Sequence, residues 1–136
     1  MTEKITPAMQ AFWANDPAPI EMGIDLIEAR DNRAELRLQL EPRHLNGHRS
    51  THGGVVHLLA DCAAGFAANS MGEQAVTQTN TITFLTPSHA GETLTAIGTF
   101  VARSGRSALY DVVVTAEDGR QVAVMRAQMR HIAPKA

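Results

Sequence analysis

The sequence carries one cysteine, one tryptophan and one tyrosine in 136 residues. A lone Cys62 excludes an internal disulfide framework and suits a reducing compartment. No sign of charge dominates either. Twelve basic and fourteen acidic residues leave a net charge of -2. That balance offers no general attraction for nucleic acid, and no run of like charge suggests a tail. Long hydrophobic runs are missing too. No stretch reaches the ~20 apolar residues of a membrane-spanning helix. The N-terminal "MTEKITPAMQAFWANDPAP" has no apolar run of signal-peptide type. Together these absences predict a cytoplasmic protein with no nucleic-acid or membrane partner. No repeat, low-complexity tract or long linker divides the chain, and its length fits one domain, residues 1–136.

What is present is a core supply, 44% apolar residues, with clear periodicity. Residues 6–15 predict a short helix, with Thr6 as cap, Pro7 in the first turn and Pro17 beyond its end. Met9, Phe12 and Trp13 fall at helical spacing and read as core or subunit contact. "GIDLIEARD" and "NRAELRLQL" read as strands joined at Asp31-Asn32. In the second, Ala34, Leu36, Leu38 and Leu40 alternate with polar residues. "EPRHLNGHRS" has no period and reads as a loop. A long helix follows, from Thr51 or His52 to about Asn69. Four more strands come after it. The first, "AVTQTNTITFLTP", stops at Pro87, and the last three are joined by turns at Ser104-Gly105 and Asp118-Gly119.

Consecutive hairpins imply an antiparallel sheet. The long helix is apolar around most of its circumference, which marks a buried helix. The expected fold is therefore α+β, a curved antiparallel sheet wrapped around one long helix. Ala60, Ala63, Ala64, Gly65, Ala67 and Ala68 permit close approach. Both faces of the last strand are partly apolar, so a second subunit is expected on one of them.

One acid, Asp61, lies in the middle of that helix. An ionised carboxylate is costly to bury unless it is paired. The bland reading pairs it with His57, four residues earlier. The functional reading gains from the helix start, His52-Gly53-Gly54, where free N–H groups make a donor-rich site and glycine lets a substrate approach. Gly53 and Asp61 are ~12 Å apart along the axis at 1.5 Å per residue. One group cannot touch both in one chain. If both act on one reacting atom, the acid comes from a second copy, at a homodimer interface. His44, His48, His52 and His57 raise a zinc reading, which their spacing across a loop-to-helix boundary disfavours. Cys62 points away from Asp61 and reads as core packing. No phosphate loop, dinucleotide fingerprint or nucleophile elbow occurs.

"HLNGHRSTHGGVVHLLADCAAGFAANS" followed by "NTITFLTPSHAGETLTA" closely resembles the PaaI-type acyl-CoA thioesterases of the hotdog-fold superfamily, over about residues 22–132. The resemblance implies a hotdog fold, with two copies forming a continuous sheet and commonly a dimer of dimers. It implies that Asp61 is the catalytic carboxylate, as general base or nucleophile, contributed by the opposite subunit. Gly53 matches the backbone donor to the thioester carbonyl. Asn46 and His52 match polar residues that shape the site. A hydroxyl early on the following strand falls at Thr77, with Gln78 and Thr79 adjacent. The turn Arg103-Ser104-Gly105-Arg106 falls where relatives meet the coenzyme A nucleotide. An acyl-CoA substrate is implied, aryl first and medium-chain next. No metal or redox cofactor is expected, because a thioester is already electrophilic and its thiolate leaves well. The alternatives are a non-catalytic acyl-CoA-binding hotdog module and a hotdog enoyl-acyl hydratase.

Overall fold

A computed structural model describes residues 3–132. Its elements run α1 (Pro7–Ala14), α2 (Pro17–Glu21), β1 (Ile24–Arg30), β2 (Arg33–Gln39), α3 (Gly53–Asn69), β3 (Ala75–Phe84), β4 (Thr93–Ser104), β5 (Ser107–Ala116) and β6 (Gln121–His131), with a short 3-10 turn at Pro42–His44. The strands form one sheet in the order β1-β2-β4-β5-β6-β3. Every neighbouring pair is antiparallel. The sheet curls so that all six strands touch α3. This is the expected hotdog arrangement, one long helix wrapped by a sheet.

Local chemistry explains most boundaries. Thr6 caps α1 by accepting from the Met9 N–H at 3.2 Å. Pro17 was expected past the end of a single helix, yet it opens a second one, α2. Proline there forfeits no hydrogen bond, since first-turn N–H groups have no helical partner. Asp31 and Asn32 both have positive φ, 54° and 61°, the left-handed pair of a tight hairpin turn. The alternation read in β2 holds. Ala34, Leu36, Leu38 and Leu40 are buried. In β6, Ala123, Met125, Ala127 and Met129 are buried, and so is Val122.

The helix and the sheet come very close at Gly98 in β4. A Cβ built there would lie 2.5 Å from the Ala63 carbonyl oxygen and 2.8 Å from its carbonyl carbon. Backbone atoms cannot swing aside as a side chain would. Gly98→Ala is therefore expected to lower stability by about 1–3 kcal/mol, as overpacking does. A urea titration should show a lower midpoint with an unchanged slope. An unchanged midpoint would contradict this contact.

Two strands are edges, β1 and β3. Among the described residues β3 pairs only with β6, and its residues 76–79 are exposed. Among the described residues no helix is long and apolar enough to cross a membrane.

Candidate active site

The start of α3 is held by the loops on either side of it. Thr51 donates its N–H to Ser88 O at 2.8 Å and its hydroxyl to the same oxygen at 3.1 Å. Ser88 Oγ returns a bond to Thr51 Oγ1 at 2.7 Å, and both residues are buried. This clasp sets the helix start beside the segment that follows β3. His52 is the N-cap: its Nδ1 accepts from Gly54 N–H at 2.9 Å. His52 is exposed; the cap uses its Nδ1, which leaves Nε2 as the donor nitrogen of the neutral ring. Gly53 N–H has no hydrogen-bond partner among the described residues. Gly53 lines a cavity of about 330 Å³ with Asn46, Val56, Phe84 and Val122 among others. Asn46 Oδ1 organises the loop by accepting from His48 N–H at 2.9 Å and Ser50 N–H at 3.3 Å. The Phe84 ring packs over Gly53, where an added Cβ would meet it at 3.4 Å.

Asp61 lies about 12 Å further along the same axis, in a separate cavity of about 310 Å³ lined by Gly54, His57, Leu58, Asp61, Thr77 and Asn80. Its Oδ1 accepts from Thr77 Oγ1 at 3.0 Å and from Asn80 Nδ2 at 2.9 Å. Asp61 Oδ2 accepts no hydrogen bond among the described residues. The direct pair with His57 that the bland reading would give is not formed among the described residues, and an indirect link stands in its place. Asn80 Nδ2 also lies 2.9 Å from His57 Nε2.

Two residues three apart on a strand should face opposite ways. Thr77 and Asn80 face the same carboxylate because β3 is bulged between them, with Thr77 opposite Met129 and Thr79 opposite Gln128. The extra residue reverses the alternation, and Asn80, Ile82 and Phe84 then point toward α3. The start of β3 is fixed to the end of α3 by buried Asn69. Its Nδ2 donates to Gly65 O at 2.8 Å and Ala75 O at 3.0 Å, and its Oδ1 accepts from Ala75 N–H at 2.9 Å. Neither Asn69 nor Asn80 was singled out from the sequence.

Electrostatics near Asp61 favour the neutral state of its neighbours. Burial, then the charge of Asp61, raises the Asp16 carboxyl above its ordinary range. Burial, then Asp16 and Asp61, pushes the Cys62 thiol up to about 12. Cys62 is thus a protonated packing residue, unsuited to nucleophilic work.

The other expected contacts lie elsewhere. Arg103 pairs with Glu73 through two bonds of 3.1 and 2.8 Å and donates Nε to Gly105 O at 2.9 Å. Arg106 is exposed, and a cavity of about 340 Å³ lined by Arg103, Ser104 and Leu109 among others opens beside this turn. His44 is buried, with Nδ1 accepting from Glu41 N–H at 2.9 Å and Nε2 2.8 Å from Met22 O. It fixes the loop. Among the described residues no group of three or more His, Cys, Asp or Glu is placed to hold a metal ion.

Comparison with known proteins agrees with this architecture. A family model for the thioesterase superfamily matches residues 48–123. The acyl-coenzyme A thioesterase PaaI of Escherichia coli is 34% identical over 132 residues, covering 97% of this chain and 94% of that protein. The structure of the E. coli PaaI protein, from the phenylacetic acid degradation operon, superposes with a TM-score of 0.89 at 34% identity, over 93% of this chain and 91% of that one. The smu.793 protein of Streptococcus mutans, solved bound to acetyl-CoA, superposes at 0.78 with 25% identity, over 83% and 91% of the two chains. With the hotdog sheet, the long central helix and these relatives in agreement, the chain belongs to the thioesterase superfamily and is a PaaI-type thioester hydrolase.

Proposed function

We propose that this protein hydrolyses acyl-CoA thioesters to a free acid and coenzyme A, at sites shared by two copies of the chain. The observation that carries this reading is the division of labour along α3. An N–H at Gly53 and a carboxylate oxygen on Asp61, both unpaired among the described residues, belong to residues that line separate cavities of one chain. Each lacks the partner that the other cavity holds. Pairing two chains through the open edge of β3 would bring the acid of one copy to the donor of the other.

In the joined site the thioester oxygen lies against Gly53 N–H, where negative charge develops as the tetrahedral intermediate forms. Asn46 lines the same wall. Asp61 of the opposite copy takes a proton from the attacking water, and the thiolate departs and is protonated; or Asp61 attacks the carbonyl itself, the thiolate departs, and water then hydrolyses the resulting anhydride to the free acid. Thr77 holds Oδ1, so Oδ2 faces the reaction. Arg106, with Ser104, Gly105 and Arg103, would meet the nucleotide phosphates, Arg103 exchanging Glu73 for them. The dimers pair further into a tetramer in this reading.

Aryl acyl groups of the phenylacetyl kind are the leading substrates, with medium chains next. Val56, Phe84 and Val122 give the donor cavity an apolar wall that suits them, and one relative belongs to a phenylacetic acid operon. Hydrolysis of an acyl-CoA panel, followed by release of free thiol, should rank phenylacetyl-CoA first. No hydrolysis of any acyl-CoA would defeat the proposal.

A further inference from the structure

The Asp61 carboxylate is not held by its own helix. Two donors reach it from β3, and one of them is an amide that also touches a histidine. An amide NH2 has two hydrogens and no acceptor capacity. Asn80 Nδ2 has two neighbours at 2.9 Å, Asp61 Oδ1 and His57 Nε2. Both must therefore accept, which fixes the His57 proton on Nδ1. Turning the amide over would set Asn80 Oδ1 against the carboxylate oxygen, and two acceptors would face each other.

The orientation has a visible cost. Among the described residues Asn80 Oδ1 is buried without a hydrogen-bond partner. A buried orphan acceptor is unfavourable, so the amide holds this pose because both of its hydrogens are bound. The bulge in β3 delivers Asn80 to this position.

We infer that Asn80 is a positioning residue for the hydrolytic reaction, locking the Asp61 carboxylate so that Oδ2 is presented to the reacting group, with His57, as the Nδ1-protonated tautomer, completing the lock. The inference rests on the reading of Asp61 as the acting carboxylate. Thr77 and Asn80 together approach one oxygen only, which stops the carboxylate from rotating about its χ2 bond. His57 binds the second amide hydrogen and prevents the amide from turning over. Fixed orientation of a reacting group is worth large factors in rate, and small misplacements cost them.

The test combines kinetics with nitrogen NMR. Asn80→Ala should lower kcat by roughly 10- to 100-fold and leave KM nearly unchanged. In an Asp61→Asn background the same change should cost nothing further, because the two residues act as a unit. A loss seen only in KM, or an equal further loss in the Asp61→Asn background, would overturn the inference. The ring nitrogens of His57 give a reading that needs no variant. Near pH 8, above the ordinary histidine range, wild-type Nε2 should be unprotonated and Nδ1 protonated, whereas Asn80→Ala should release the ring to its Nε2-protonated form. An Nε2-protonated ring in the wild type would overturn the inference even if the variant failed to fold. The two layers separate cleanly. Full activity in Asp61→Asn removes the catalytic reading itself, while an inactive Asp61→Asn beside an Asn80→Ala of wild-type kcat removes only the role given to Asn80.

Discussion

Asp61→Asn is expected to lower kcat by about 10²- to 10⁴-fold, the range of a lost general base, while the thermal midpoint stays near that of the parent. The two expectations have different sources. An asparagine in place of Asp61 keeps the shape of the side chain, and its oxygen can still accept from Thr77 Oγ1 and Asn80 Nδ2. Both of the donors that reach it are neutral, so neither contact requires a charged acceptor. What disappears is the basicity of the free oxygen. Release of thiol from the best acyl-CoA of the panel measures the first effect, and a melting curve the second. Retention of more than a tenth of kcat in a well-folded Asp61→Asn would remove the carboxylate from the mechanism.

The second large effect is expected at the other end of the helix. Gly53 occupies the first helical position, where proline is tolerated because that N–H is unused by the helix. The residue before a proline must be extended, and His52 already has φ −59° and ψ 133°. Gly53→Pro should therefore delete one N–H and disturb little else. Loss of one oxyanion donor costs roughly 10²- to 10³-fold in kcat. The shared site then makes a sharper demand. In a dimer built from one Asp61→Asn chain and one Gly53→Pro chain, one pocket has both lesions and the other has neither. Such a heterodimer, purified through two different tags, should recover about half of the wild-type rate under two-fold symmetry. If donor and acid served the same pocket within one chain, both pockets would stay damaged. A heterodimer no more active than either parent would therefore refute the shared site.

The elements of this fold were legible because they follow simple periods. β2 alternates without interruption, and the buried set Ala34, Leu36, Leu38 and Leu40 is the set its pattern indicates. The helix that carries Asp61 was legible from its apolar circumference. α2 was not, because Pro17 reads as readily as a stop as it does as a first residue. Gly98 could have been noticed, since glycine inside a strand often marks close backbone approach. Asp61 stood out as an acid among alanines and leucines. Its partners did not. A two-residue period sends Thr77 and Asn80 to opposite faces, and only a bulge brings them together. Nothing in "AVTQTNTITF" announces that bulge, because it arises from how β3 registers on β6. Helical spacing alone would let His57 pair directly with Asp61, but the link runs through an asparagine supplied by another element.

With Gln78 included, β3 behaves as two short strands of opposite parity. Even positions point inward after the bulge and odd positions before it. The faces of this strand are thus set by counting as much as by chemistry. Among relatives aligned by residue type alone, a chain with the same side chains and one position fewer would match almost perfectly. Its asparagine would nevertheless look outward, its phenylalanine would leave the helix start uncovered, and the match would describe a different site.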